Sequence, residues 1–130
     1  MSFPTRIALT AIAVITLDVL QSLTSRVFLV DYLNVGWSSY FIYFAAGFWG
    51  AHGRTFKWGV LLATVAGITD ATIGWFVLAM IPPFTRTGIP PWHPLLLLIA
   101  DVLILARAVF SGLLGAGFCA LIGQTRPRDA

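Results

Sequence analysis

The chain has 130 residues, of which 58% are hydrophobic and only 10% are charged. A soluble domain usually carries about 25% charged residues. The mean hydropathy of +0.89 leaves more apolar surface than one small core can hide. Together with the single cysteine, this composition excludes a soluble globular domain, a disordered tail and a disulfide scaffold. We therefore expect an integral membrane protein.

Four apolar stretches reach the roughly 20 residues that a membrane-crossing helix needs. They cover residues 7–25, 35–52, 58–81 and 95–122. They are too long and too uniformly apolar for barrel strands, which alternate over about ten residues. We predict an all-α, single-domain bundle of four transmembrane helices that spans residues 1–130.

The first stretch contains one charge, Asp18, which lies about 16 Å from the inner edge at about 1.5 Å per residue. Because Asp18 interrupts the apolar run and no small-x-small cleavage site follows it, we expect a retained helix rather than a signal peptide. Small and polar residues share one helical stripe: Ala11, Asp18, Gln21, Ser22 and Ser25.

The second stretch has no charge, and its stripe of small and polar residues is Ser39, Tyr40, Tyr43, Ala46, Gly47 and Gly50. The third stretch contains one charged residue, Asp70, which lies about 18 Å from the predicted inner edge of the membrane. Its stripe is Gly59, Ala63, Gly67, Asp70 and Gly74. No proline lies inside any stretch, so the sequence does not signal the broken helices of many transporter binding sites.

The loop from Pro82 to Pro94 holds five of the seven prolines, and we expect it to be extended and stiff. The fourth stretch follows it and contains Asp101 and Arg107. Its small-residue stripe is Asp101, Ala108, Gly112, Gly115 and Cys119. Small residues let helix backbones approach closely in lipid. We therefore assign helix packing to Gly59, Ala63, Gly67, Gly74, Ala108, Gly112 and Gly115, and a polar pathway along the same wall is the alternative.

The distribution of basic residues predicts the orientation of the bundle. The predicted inner side holds five of them: Arg6, Arg54, Lys57, Arg126 and Arg128. The outer side holds Arg26 and Arg86. This bias favours both termini in the cytoplasm of a multi-pass protein of the cell membrane, and a bacterial inner membrane fits it. The net charge of +3 then reflects topology and contact with anionic lipid headgroups, not nucleic acid.

The four charges inside the predicted spans are the most informative feature. Each charge at a helix centre costs about 2.5 to 3.5 kcal/mol on insertion scales, so these residues must be paired, protonated or hydrated. Arg107 is placed to reach Asp18 or Asp70 on a neighbouring helix, which leaves at least one aspartate neutral at pH 7. Such a bridge would fix helix register. The functional alternative is an ion or proton pathway through Asp18, Asp70, Asp101 and Arg107.

These observations lead to two functional hypotheses. The first is a small transporter or channel-like protein that moves a proton or small ion past midplane carboxylates. The second is a non-catalytic accessory subunit that packs against a larger membrane complex. In either case we expect a homo-oligomer or a subunit of a complex. No phosphate-binding loop, zinc pattern or nucleophile elbow is present, so we expect neither an enzyme nor a metal site, and the sequence identifies no cofactor.

Overall fold

The computed structural model describes residues 1–85 and 94–125, and every regular element within them is helical. The elements are α1 (Phe3–Phe28), α2 (Tyr32–Val35), a 3₁₀ turn (Gly36–Ser38), α3 (Ser39–Ala51), α4 (Phe56–Thr69), a π-helical turn (Asp70–Gly74), α5 (Trp75–Met80) and α6 (Pro94–Leu121). The prediction of an all-α chain is therefore confirmed. Three basic residues used to predict the orientation, Arg86, Arg126 and Arg128, and most of the proline-rich loop lie outside the described residues.

Three helical segments are long and apolar enough to cross a membrane: Phe3–Phe28, Phe56–Met80 and Pro94–Leu121. They correspond to the first, third and fourth predicted stretches. The first begins at a cap, because the Ser2 hydroxyl accepts a hydrogen bond from the Thr5 amide at 3.4 Å. It ends where Leu29 adopts a left-handed conformation (φ 52°) and its amide bonds back to the Ser25 carbonyl.

The second apolar stretch is not one regular helix. A helix from residue 35 is expected, but the uninterrupted α-helix α3 begins at Ser39 and has only 13 residues. The chain enters it through the four-residue helix α2 and the 3₁₀ turn. The Ser38 hydroxyl donates to the Val35 carbonyl at 2.9 Å, which is a local bond that competes with regular helix formation at this point.

Small residues allow α3, α4 and α6 to pack at very short range. A β-carbon on Gly47 would lie 2.7 Å from the Gly112 α-carbon, and one on Gly50 would lie 2.6 Å from the Trp58 carbonyl oxygen. The buried apolar core is correspondingly rich in alanine, including Ala63, which is fully buried. Helix α1 packs mainly on α4. Close backbone packing is the usual basis of helix association in lipid.

The distribution of polarity is the reverse of that in a soluble protein. Several polar side chains are buried among the helices, and many large apolar side chains point outward. Examples of the outward group are Phe41, Met80 and Leu121, each more than three-quarters exposed. A bilayer would cover this surface, which is consistent with three helices capable of crossing it.

Hydrogen bonds define the two ends of the bundle. At the first, Arg6 at the start of α1 donates to the His52 carbonyl at 3.1 Å, and His52 Nδ1 lies 2.8 Å from Gln124 Oε1 beyond α6. We call this the Gln124 end. At the opposite end, the Ser25 hydroxyl donates to the Val30 carbonyl at 2.7 Å and accepts from the Phe84 amide at 3.1 Å. We call this the Ser25 end. Both limits of the described chain thus lie at the Gln124 end.

Candidate functional site

A pair of carboxyl groups lies between α1 and the π-helical turn. Asp18 projects from α1 and is only 2% exposed, and Asp70 begins the π-helical turn that follows α4. Both side chains reach Gly74: a β-carbon there would lie 2.9 Å from Asp70 Oδ1 and 3.0 Å from Asp18 Oδ2. Two acidic groups from different helices therefore occupy one site, and the absence of a side chain at Gly74 provides the room.

Tyr43 closes this site from α3. Its hydroxyl donates a hydrogen bond to Asp70 Oδ2, and its ring belongs to the buried core with Val14 and Ala46. The tyrosine is 1% exposed. Asp70 is thus held by a donor on α3 while it faces Asp18 on α1. The site joins three separate segments of the chain.

The π-helical turn determines where Asp70 is presented. The turn covers Asp70–Gly74 and contains no proline. Threonine hydroxyls bond to backbone carbonyls around it: Thr69 Oγ1 donates to Val65 at 2.9 Å, and Thr72 Oγ1 donates to Ile68 at 2.7 Å. Bonds of this kind also occur in the regular helix, as from Thr64 Oγ1 to the Val60 carbonyl at 2.8 Å, so they accompany the turn without distinguishing it. Single π-helical turns inside α-helices are frequent at functional sites.

The chemistry of the pair follows from its surroundings. Within the described part of the chain, neither Asp18 nor Asp70 forms an ion pair with a basic side chain. Two carboxyl groups that meet beside Gly74 in this apolar surrounding cannot both be charged at low cost, so at least one of them holds a proton that the other can accept. Asp18 Oδ2 is buried and accepts no hydrogen bond from a described residue.

The predicted bridge between Arg107 and an aspartate is wrong. Arg107 is exposed on α6, and its guanidinium lies 5.5 Å from the centre of the Tyr40 ring, in a cation–π contact. Helix α6 packs chiefly on α3 and α4, whereas Asp18 is on α1. The arginine side chain thus covers an aromatic ring instead of pairing with a carboxylate.

Asp101 is also separate from the carboxyl pair. Its Oδ1 accepts a hydrogen bond from the indole Nε1 of Trp75 at 2.7 Å, which ties α6 to α5. The four charged residues of the predicted pathway are therefore brought together only in part. Asp18 and Asp70 share a site, while Asp101 and Arg107 have other partners.

The predicted packing residues occupy two kinds of position. Six lie where α3, α4 and α6 meet: Gly59, Ala63, Gly67, Ala108, Gly112 and Gly115. A β-carbon on Gly67, for example, would lie 2.5 Å from the Ala108 side chain. Gly74 is different, because its nearest neighbours are the two carboxyl groups rather than a helix backbone.

Two contributors to these contacts were not singled out from the sequence. Tyr43 lies on the small-residue stripe of the second stretch, and its large hydroxyl-bearing ring among glycines and alanines is the one signal that could have marked it. Trp75 directly follows Gly74, and no sequence pattern indicates its bond to Asp101. Among the described residues, no group of three or more histidine, cysteine, aspartate or glutamate side chains could hold a metal ion.

No known protein family, curated protein or solved structure shows a significant similarity to this chain.

Proposed function

We propose that this protein is a small multi-pass membrane protein that moves protons past a carboxyl pair formed by the buried Asp18 and the partly buried Asp70. The observation that supports the proposal is the Asp18–Asp70 pair with Tyr43 donating to it, in a helical bundle with an apolar outer surface. Ionisable residues inside membrane bundles commonly mark ion or proton pathways. A pair that holds one proton carries a net charge of −1; it becomes neutral when it takes up a second proton and returns to −1 when it releases that proton, so the exchange never requires two adjacent carboxylates.

The size of the site favours a proton over a larger cation. Two carboxyl groups and one hydroxyl surround it, whereas Ca²⁺ takes six to eight oxygen ligands. The carboxyl oxygens also pack against Gly74, where a β-carbon would lie 2.9 Å from Asp70 Oδ1 and 3.0 Å from Asp18 Oδ2. A proton needs no cavity, so this close packing is compatible with proton exchange.

We further propose four membrane crossings with both termini in the cytoplasm. Helix α2, the 3₁₀ turn and α3 together rise about 32 Å, which matches a hydrocarbon core of about 30 Å. The contacts among Arg6, His52 and Gln124 support this arrangement, because an even number of crossings returns the chain to the side where it began.

A pair of terminal fusions tests this topology. A reporter that fluoresces only in the cytoplasm is expected to be active at either terminus of the full chain, since both termini lie on one side. A reporter that is active only outside the cytoplasm is expected to be silent at both positions. Opposite behaviour of the two termini would contradict four crossings and indicate three.

The proposed function is tested by proton flux into proteoliposomes that contain a pH-sensitive dye. The intact protein is expected to conduct protons above the rate of empty liposomes. Asp70→Asn and Asp18→Asn are each expected to reduce that excess at least tenfold, because an amide cannot take part in the shared-proton exchange. Equal incorporation and a single elution peak show that the variants are folded.

Asp129→Asn is the matched control, because the sequence places this aspartate outside all four apolar stretches. It is expected to conduct like the unaltered chain. If Asp18→Asn and Asp70→Asn both conduct normally, or if the intact protein conducts no faster than empty liposomes, the proposed function is wrong.

The alternative of an accessory subunit makes a different prediction. Purified protein would then be silent in liposomes, and a partner would co-purify from native lipid in mild detergent. An accessory subunit could use its small-residue stripes to pack on a larger complex, but these stripes are occupied by contacts within the chain, as at Gly47, Gly59 and Gly112. They are therefore not free to hold a partner, and this favours the transport proposal.

A further inference from the structure

Polar side chains continue along α1 from Asp18 toward the Ser25 end. Gln21, Ser22 and Ser25 follow Asp18 on the same face, and all three are buried; Ser22 is 0% exposed. A helix in lipid gains nothing from buried hydroxyl and amide groups unless they have partners. We refer to Gln21, Ser22 and Ser25 as the polar ladder.

The polar ladder is connected to less buried residues by hydrogen bonds. Gln21 Nε2 donates to Ser38 Oγ at 2.7 Å and to Ser39 Oγ at 3.2 Å. Tyr32 Oη donates to Gln21 Oε1 at 3.4 Å. Ser38, Ser39 and Tyr32 are each partly exposed. Hydrogen-bonding groups therefore extend from the interior of the bundle to its surface at this end.

Two buried oxygens beside each other have no protein partner. Asp18 Oδ2 and Ser22 Oγ are both buried without a hydrogen bond to any described residue, and their side chains are one helical turn apart on α1. Unsatisfied buried polar atoms are rare in native structures and commonly mark the position of an ordered water. Here a water molecule would link the polar ladder to the carboxyl pair.

The opposite direction from the pair is apolar. One helical turn toward the Gln124 end, the residues on α1, α3 and α4 are Val14, Ala46 and Ala66, and all are buried. Leu62 and Ala63 continue this layer and are fully buried. None of these five side chains can donate or accept a hydrogen bond, and the next buried polar side chain of α1 in this direction is Thr10, which lies two turns from Asp18 with Val14 between them.

We infer that water and protons reach the Asp18–Asp70 pair through the polar ladder from the Ser25 end, and that the layer around Val14 and Ala66 closes the Gln124 end in this conformation. This inference rests on the proposed function, because proton transport is the reason why the pair needs access to water. The access itself is a separate property, and it can be measured without a transport assay. It assigns Gln21 and Ser22 as positioning residues for water. It also predicts the side of the membrane from which the pair is loaded.

Thiol labelling on the two sides of Asp18 tests the inference. Ser22→Cys and Val14→Cys place a thiol one turn from Asp18 in either direction along α1, each in a Cys119→Ala chain so that no native thiol remains. The full chain is placed in lipid nanodiscs, where a charged, water-soluble thiosulfonate reagent reaches both faces. Ser22→Cys is expected to react at least tenfold faster than Val14→Cys. Equal rates, faster reaction of Val14→Cys, or no reaction of Ser22→Cys would overturn the inference.

A second pair of variants tests the polar ladder in the flux assay. Ser22→Ala removes a hydroxyl from the ladder, and Ser111→Ala removes a buried hydroxyl on α6, outside it. Flux is expected to fall at least tenfold in the first and to stay within twofold in the second. If Asp70→Asn reduces the proton flux but Ser22→Ala does not, the route through the polar ladder is wrong and the proposed function stands. If Asp70→Asn does not reduce the flux but Ser22→Cys reacts faster than Val14→Cys, the proposed function is wrong and the access route stands.

Discussion

At the scale of single residues, the four charges in the apolar stretches have different partners. Asp18 and Asp70 meet beside Gly74, Asp101 accepts a hydrogen bond from Trp75, and the Arg107 guanidinium lies over the Tyr40 ring. Only the first of these arrangements places titratable groups in direct contact. The shared-proton chemistry is therefore assigned to Asp18 and Asp70 alone.

The bond between Trp75 and Asp101 predicts a difference between two substitutions. Asp101→Asn retains an oxygen that accepts from the indole, so its free energy of unfolding is expected to change by less than about 1 kcal/mol. Asp101→Ala leaves the partly buried indole nitrogen unpaired, at a cost of about 1–3 kcal/mol. Reversible unfolding in mixed detergent micelles measures both. Equal effects of the two substitutions would contradict a structural role for this bond.

The partners of these residues could be predicted only in part. Depth along the helix places Asp18 and Asp70 about 16 and 18 Å from the same edge, which allows contact between them. The choice between Arg107 and a second aspartate as partner depends on the rotation of α6 about its axis. The small-residue stripes do not determine that rotation, because glycine faces on three helices admit several packings.

At the scale of elements, close helix contacts define the bundle. The boundaries of α1, of the helical segment Phe56–Met80 and of α6 lie near those expected from the apolar pattern, and Pro94 occupies the first position of α6, where a missing amide costs nothing. Two features were not predictable from periodicity: the 3₁₀ entry to α3 and the π-helical turn at Asp70–Gly74. Both are local changes of backbone geometry, which leave no signature in the spacing of apolar residues.

The contact between α3 and α6 predicts the effect of adding one methyl group. Gly47→Ala would bring a β-carbon to 2.7 Å from the Gly112 α-carbon, so the helices must separate, at a cost of about 1–3 kcal/mol in the free energy of unfolding.

Gly117→Ala is the control on the same bundle, since a β-carbon at Gly117 would meet nothing within 4 Å. It is expected to be neutral or stabilising by about 1 kcal/mol or less, because alanine is the better helix former. A Gly47→Ala variant as stable as the Gly117→Ala variant would show that α3 and α6 do not pack as described.

At the scale of the whole molecule, the fold combines an apolar exterior with buried polar side chains, and Gln21, Ser22 and Ser25 lie on one side of the carboxyl pair. The composition of the chain predicts the exterior, since 58% hydrophobic residues cannot be buried in 130 residues. The unequal distribution of polar side chains inside the bundle cannot be predicted from composition, because it depends on how α1, α3 and α4 pack together. The polar ladder and the apolar layer then lie on opposite sides of one carboxyl pair.

The central claim, that Asp18 and Asp70 share one proton, is tested most directly by infrared spectroscopy of the full chain in lipid at neutral pH. A protonated buried carboxyl group has a carbonyl stretch distinct from that of a carboxylate, and the stretch shifts in heavy water. We predict this band in the intact protein, and its loss or shift in both Asp18→Asn and Asp70→Asn, because each substitution removes one of the two groups that hold the proton. Absence of the band from the intact protein, or a band that neither substitution alters, would contradict the shared proton.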